Sequence, residues 1–160
     1  MTSTNFGLVP IETAAALSGL ELLQEMMAGR LPGPPMMQTL DFTLVEIEPG
    51  RAVFEGTPRL MHYNPLGVVH GGYAATLLDS CMGCAVHSTL PKGVSYTTLE
   101  FKVHLARAIT AETGPVRAEG KLVTSGRRVA TSEGRLTDGN GRLLAHGTTT
   151  CLVFDLPVKP

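Results

Sequence analysis

The apolar and polar positions of this chain change period as one reads along it. From Pro10 or Glu12 to about Ala28, the positions Leu17, Leu20, Leu23 and Met27 recur at helical spacing, and one helix is predicted there. Gly29, with Arg30 just after it, is its expected stop. Leu31-Pro32-Gly33-Pro34-Pro35 then reads as a stiff connector that cannot be helix. From Met37 the period shortens, and 42–47 and 51–55 read as strands joined at Pro49-Gly50. A turn at Asn64-Pro65 and Gly67 leads through His70-Gly71-Gly72 into a helical run that extends to about Val86. Residues 95–105 alternate most cleanly: Leu99, Phe101, Val103 and Leu105 take one face, and Thr98, Glu100, Lys102 and His104 the other. Three further strands are expected near 114–124, 127–137 and 142–154, with Ser125-Gly126 and the hairpin signal Asp138-Gly139-Asn140-Gly141 between them.

The run after Gly72 is the odd one. Leu77, Leu78, Met82, Ala85 and Val86 stand beside Ala74, Ala75, Cys81, Gly83 and Cys84, so no face is properly polar, as in a buried helix. Two strands, a buried helix and four strands fit an antiparallel sheet curled around one long helix, an α+β fold of the hotdog kind. Residues 1–35 are then an appendage and connector, 36–156 the domain, and 157–160 a tail, with 1–9 a loose leader to the first helix.

Composition narrows the possible functions. With 160 residues and a net charge of −1, the chain is one domain by length and lacks the basic balance of a nucleic-acid binder. No apolar stretch approaches the length of a membrane span, and the first ten residues have no secretory pattern. Three cysteines imply no disulfide framework, and a cytoplasmic location is expected. Cys81 and Cys84 form a C-x-x-C without further ligands and read as small core residues; no metal site is expected.

Asp79 is the single ionisable residue before the end of the apolar helix. Its carboxylate is costly there unless paired, so it is either a satisfied structural group or a catalytic base or nucleophile. At the helix start, Gly71 and Gly72 can bring bare N–H groups to a ligand with the helix dipole behind them, as an oxyanion donor requires. Gly71 and Asp79 lie eight residues, or roughly 12 Å, apart along the axis and cannot serve one carbon from the same helix. An antiparallel second copy across a two-fold axis would join them, which places the expected site at a dimer interface.

Other candidates have two readings each. Ser95, in phase with Leu99 and Phe101, is expected to face the helix, where its hydroxyl either bonds nearby backbone or serves the site. Without a Gly-x-Ser-x-Gly elbow it is not the nucleophile of a serine triad. Turn chemistry fully explains Asn64. His70 is a candidate general base, although beside the helix start it reads rather as a structural or substrate-orienting group. Arg127 and Arg128 follow a glycine turn and are either solvated hairpin charge or phosphate donors.

His70-Gly71-Gly72 with an acid nine positions after the histidine resembles the hotdog-fold acyl-CoA thioesterases of the phenylacetic-acid-degradation type. Asn64 six before the histidine, Gly93-Val94-Ser95, Gly126-Arg127-Arg128-Val129-Ala130 and Leu143-Leu144-Ala145-His146-Gly147 extend the resemblance over about residues 36 to 154. It implies hydrolysis of an aromatic or short-to-medium acyl-CoA, with coenzyme A as part of the substrate and no separate cofactor. Asp79 would be base or nucleophile, Gly71 the oxyanion donor, and Asn64 and Ser95 positioning groups. The nucleotide would lie near Arg127 and Arg128, and the partner would be another copy of the chain, as a dimer and further as a tetramer through the exposed sheet face. The acyl pocket is expected from residues such as Tyr73, Leu66 or Met82. A hotdog hydratase or dehydratase using His70, and an acyl-CoA-binding module without chemistry, are the alternatives.

Overall fold

The computed structural model describes residues 5–157. The expectations stated above for residues 1–4 and 158–160 lie outside the described residues. The α-helices and strands follow in the order α1 (Ile11–Ala16), α2 (Gly19–Met27), α3 (Pro35–Thr39), β1 (Phe42–Glu48), β2 (Arg51–Gly56), α4 (Gly71–His87), β3 (Val94–Leu105), β4 (Val116–Ser125), β5 (Val129–Asp138) and β6 (Leu143–Asp155).

The six strands form one antiparallel sheet in the order β1-β2-β4-β5-β6-β3, and α4 lies in its concave face. This is the hotdog arrangement. Leu77, Leu78 and Met82 of α4 are fully buried in one core cluster with Ala52, Phe54, Val116 and Leu136 of the sheet, and Val86 is buried in a second with Ala130, Cys151 and Val153. The close approach comes from missing side chains on the strands as much as on the helix. A Cβ on Gly120 of β4 would overlap the Cys81 carbonyl, and one on Gly134 of β5 would sit 2.8 Å from Met82 Cγ. Ser132 Oγ donates to Met82 O at 2.8 Å and so ties β5 to the helix backbone.

The burial of α4 is not uniform. Ala75, Thr76, Asp79, Ser80, Cys84 and His87 remain half-buried and follow one another at helical spacing. The helix therefore has an open stripe where an all-round buried helix was expected. The stripe carries Asp79.

The N-terminal appendage differs from the single helix that its periodicity suggests. The backbone turns extended at Leu17 and Ser18, and α2 restarts behind a capping box: Ser18 Oγ accepts from Glu21 N–H, and Glu21 reaches back to Ser18 N–H at 2.8 Å. Pro35 is not barred from helix either, since it occupies the first turn of α3, where a backbone N–H would have no helical acceptor anyway. Residues 5–7 are no loose leader. Gly7 N–H donates to Gly33 O and Gly33 N–H to Asn5 O, both at 2.9 Å, pairing the start of the described chain with the connector.

Candidate active site

Local structure at the start of α4 follows from Asn64 and His70. Asn64 Oδ1 accepts from Leu66 N–H at 2.9 Å, and Asn64 N–H donates to Val68 O at 2.8 Å, so its side-chain oxygen closes the turn. His70 is the N-cap of α4: its Nδ1 accepts the Gly72 N–H at 2.9 Å. Gly72 thus has its N–H taken and offers no donor to a ligand, contrary to its expected binding role. Gly71 N–H has no acceptor among the described residues and points from the positive end of a seventeen-residue helix. A recess of about 260 Å³ beside it is lined by Asn64, His70, Gly71, Leu105 and Arg107, among others.

Asp79 faces a different and larger cavity of about 570 Å³, bordered by Ser80, Cys84, Tyr96 and Thr98 and by apolar residues of β1, β2 and the appendage. Thr98 Oγ1 donates to Asp79 Oδ1 at 3.0 Å. Burial raises the Asp79 carboxyl above the ordinary carboxylate range, and the Thr98 hydroxyl opposes that rise only in part. Gly71 and Asp79 do not meet within one chain, as their helical spacing requires.

Ser95 is corrected by a bulge. The pairing of β3 with β6 slips between Thr98 and Glu100, with Leu99 as the extra residue. Beyond the bulge Phe101, Val103 and Leu105 face α4 as expected; before it the phase reverses, so Tyr96 and Thr98 face the helix and Ser95 faces away. Tyr96 lies opposite buried Val153, Thr98 opposite buried Cys151, and Ser95 opposite exposed Phe154. Thr98 takes the position beside Asp79 for which Ser95 was the candidate.

The expected pocket residues are displaced too. Tyr73 is buried in the core and stacked on His62 with ring centroids 4.4 Å apart, Met82 is fully buried, and Leu66 is exposed on the turn. Arg127 and Arg128 are exposed and line a third recess, with Thr89, Pro91 and Phe154, near the C-terminal end of α4. They border neither the Gly71 recess nor the Asp79 cavity. Arg107, which no sequence pattern singled out, does border the Gly71 recess. No group of three or more histidine, cysteine or acidic residues able to hold a metal occurs among the described residues.

The fold has counterparts among known thioesterases. The sequence profile described as "Thioesterase superfamily" matches residues 66–145, which span α4, β3, β4, β5 and the start of β6. A candidate esterase of Saccharolobus solfataricus is 30% identical over 104 residues, 65% of this chain and 72% of its own. A crystal structure of a candidate thioesterase related to phenylacetic acid degradation, from Ralstonia eutropha, superposes with a TM-score of 0.74 at 29% identity, covering 81% of this chain and 98% of its own. A mutant of the phenylacetic acid degradation protein PaaI from Thermus thermophilus gives 0.67 at 29% identity, over 74% and 97%. The chain belongs to the thioesterase superfamily. It is a hydrolase acting on thioesters.

Proposed function

We propose that the protein hydrolyses acyl-CoA thioesters to a free acid and coenzyme A, at sites shared between two copies of the chain. The observation that carries this reading is the separation of the two half-sites: a free Gly71 N–H at a helix N-terminus in one recess, and a lone acid beside an apolar cavity in another. The free edge of β3 supports pairing with a second copy. Phe101 and Leu105 lie on its helix-facing side, yet 42% and 58% of their surface is exposed. Antiparallel joining of two such edges would set α4 of one chain against α4 of the other and bring Gly71 of one copy to Asp79 of the next.

In that site the thioester carbonyl accepts from Gly71 N–H, which stabilises the oxyanion as negative charge builds on oxygen. Asp79, ionised and oriented by Thr98, either takes a proton from the attacking water or adds to the carbonyl itself to form a mixed anhydride that water then opens. Either route expels the coenzyme A thiolate. Asn64 and His70 hold the turn and cap that present Gly71. Arg107 is placed to meet an anionic part of the substrate on the Gly71 side, and three free cysteines suit a cytoplasmic setting.

The test is thiol release from a panel of acyl-CoA thioesters by the wild type and Asp79→Asn. Asn keeps the shape and the bond to Thr98 but cannot act as base or nucleophile, so turnover should fall by at least ~10²-fold. Near-normal turnover in the variant would overturn the role of Asp79.

A further inference from the structure

The cavity beside Asp79 has a wall that lies outside the segment matched to the superfamily. Leu23, Met26 and Met27 of α2 and Met37 of α3 line it together with Phe42 and Phe54 of the sheet. Leu23 and Met37 are buried, and Met26 packs against the main core. The α2 part of the appendage therefore contributes to the domain's interior.

Its position is fixed from α4 itself. Gly19 N–H, in the first turn of α2, donates at 3.0 Å to the carbonyl of Leu90, just past the C-terminal end of α4. A Cβ on Gly19 would overlap the carbonyl of His87, so only glycine permits the approach. Lys92 and Glu21 pair at 3.5 Å across the same junction, and residues 5–7 bind the connector from the other side. The element that carries the acid thus also anchors the wall facing it.

The chemistry of the lining selects a class of ligand. Among the described residues Asp79 is the lone carboxylate there, and no lysine, arginine, histidine, asparagine or glutamine borders the space. Tyr96 and Cys84 also border the space. Thr43, Ser80 and Thr98 add hydroxyls to the lining, and none of its described side chains carries a positive charge to meet a second carboxylate. Methionine is unbranched and apolar, so a wall with three of them offers an acyl chain hydrophobic contact and no charged partner.

We propose that the N-terminal appendage is the selectivity element of this enzyme: it forms a wall of the acyl pocket and favours uncharged, mainly apolar acyl groups whose length is bounded by Met26. This rests on the thioesterase reading above. The test compares acetyl-, hexanoyl- and decanoyl-CoA as substrates for the wild type, Met26→Trp and Met26→Ala. Trp fills the space beside α2, so kcat/KM for decanoyl-CoA relative to acetyl-CoA should fall about tenfold or more, the scale of one or two excluded methylenes. Ala opens the space and should move the optimum to the longer chain. Acyl profiles of both variants parallel to that of the wild type would overturn the inference and leave the thioesterase reading standing. Should the wild type release thiol from no thioester, that reading fails, and titration with S-hexyl- and S-decyl-CoA thioethers decides the wall. Affinity that rises with chain length and is weakened by Met26→Trp supports it; affinity independent of length overturns it.

Discussion

Thr98 Oγ1 donates to Asp79 Oδ1 across 3.0 Å, and this bond joins the edge strand of the sheet to the middle of the central helix. It exists because one surplus residue, Leu99, reverses the strand's phase just before the site. Thr98→Val keeps the shape and removes the donor. A hydrogen bond to a charged group is worth about 1.5–3 kcal/mol, so turnover at neutral pH should fall roughly tenfold or more. The acid limb of the kcat profile should also move to higher pH, since the hydroxyl favours the ionised carboxyl. Thr98→Ser should recover both, and Ser95→Ala, on the opposite face, should leave turnover within about twofold. Steady-state pH profiles of the four proteins make the comparison.

The raised Asp79 carboxyl has a stability consequence of definite sign. A folded-state pKa above the unfolded value means that the folded protein binds the proton more tightly, so stability falls as pH rises from the unfolded value through the folded one. Above that window the ionised group remains a standing cost to the fold. Asp79→Asn should therefore have a higher midpoint of thermal unfolding than the wild type at pH 7, and the difference should vanish at a pH below the ordinary aspartate range. Calorimetry at the two pH values reads this directly. A lower midpoint at pH 7 would contradict it.

Gly71→Pro isolates the proposed oxyanion donor. Proline is well tolerated at the first helical position, and His70 already has the extended ψ of 133° that a residue before proline needs. The new ring meets Leu105 Cδ1, the mobile end of a side chain, which a Cβ would approach to 2.6 Å. The helix should survive by circular dichroism while kcat falls about 10²–10³-fold, the usual effect of losing one oxyanion donor.

Gly120→Ala tests how the helix seats in the sheet. The added methyl would overlap the backbone carbonyl of Cys81, which cannot move without shifting α4. Destabilisation of about 3 kcal/mol, the upper range for overpacking, is expected in chemical denaturation. Gly139→Ala, with open space around it, should be close to neutral.

Much of this architecture was legible because local and global preferences agree along the chain. The apolar run from Ala74 to Val86 and the alternation of Phe101, Val103 and Leu105 marked the central helix and its covering strand. The turn glycines and Pro49-Gly50 marked the strand ends. The bulge was not legible: Thr98-Leu99-Glu100 contains no glycine or other residue that signals one, and pairing with β6 decides it. That single slip moved the Asp79 partner from Ser95 to Thr98. The break within the appendage did have a signal, Ser18 with Glu21 three residues on, but the apolar stripe from Leu17 to Leu23 runs straight across it. The pocket was out of reach of local pattern, because α2, α3 and β1 converge on Asp79 only through tertiary contacts.

Gly71 and Asp79 occupy separate recesses of the same chain, and for the proposed paired assembly this has a genetic meaning. A gene carrying Asp79→Asn and one carrying Gly71→Pro each encode a protein with no complete site. Expressed together, their products would form hybrid pairs in which an intact Gly71 from one faces an intact Asp79 from the other. Two silent alleles would then complement each other, whereas either one alongside the wild-type gene would damage part of its output.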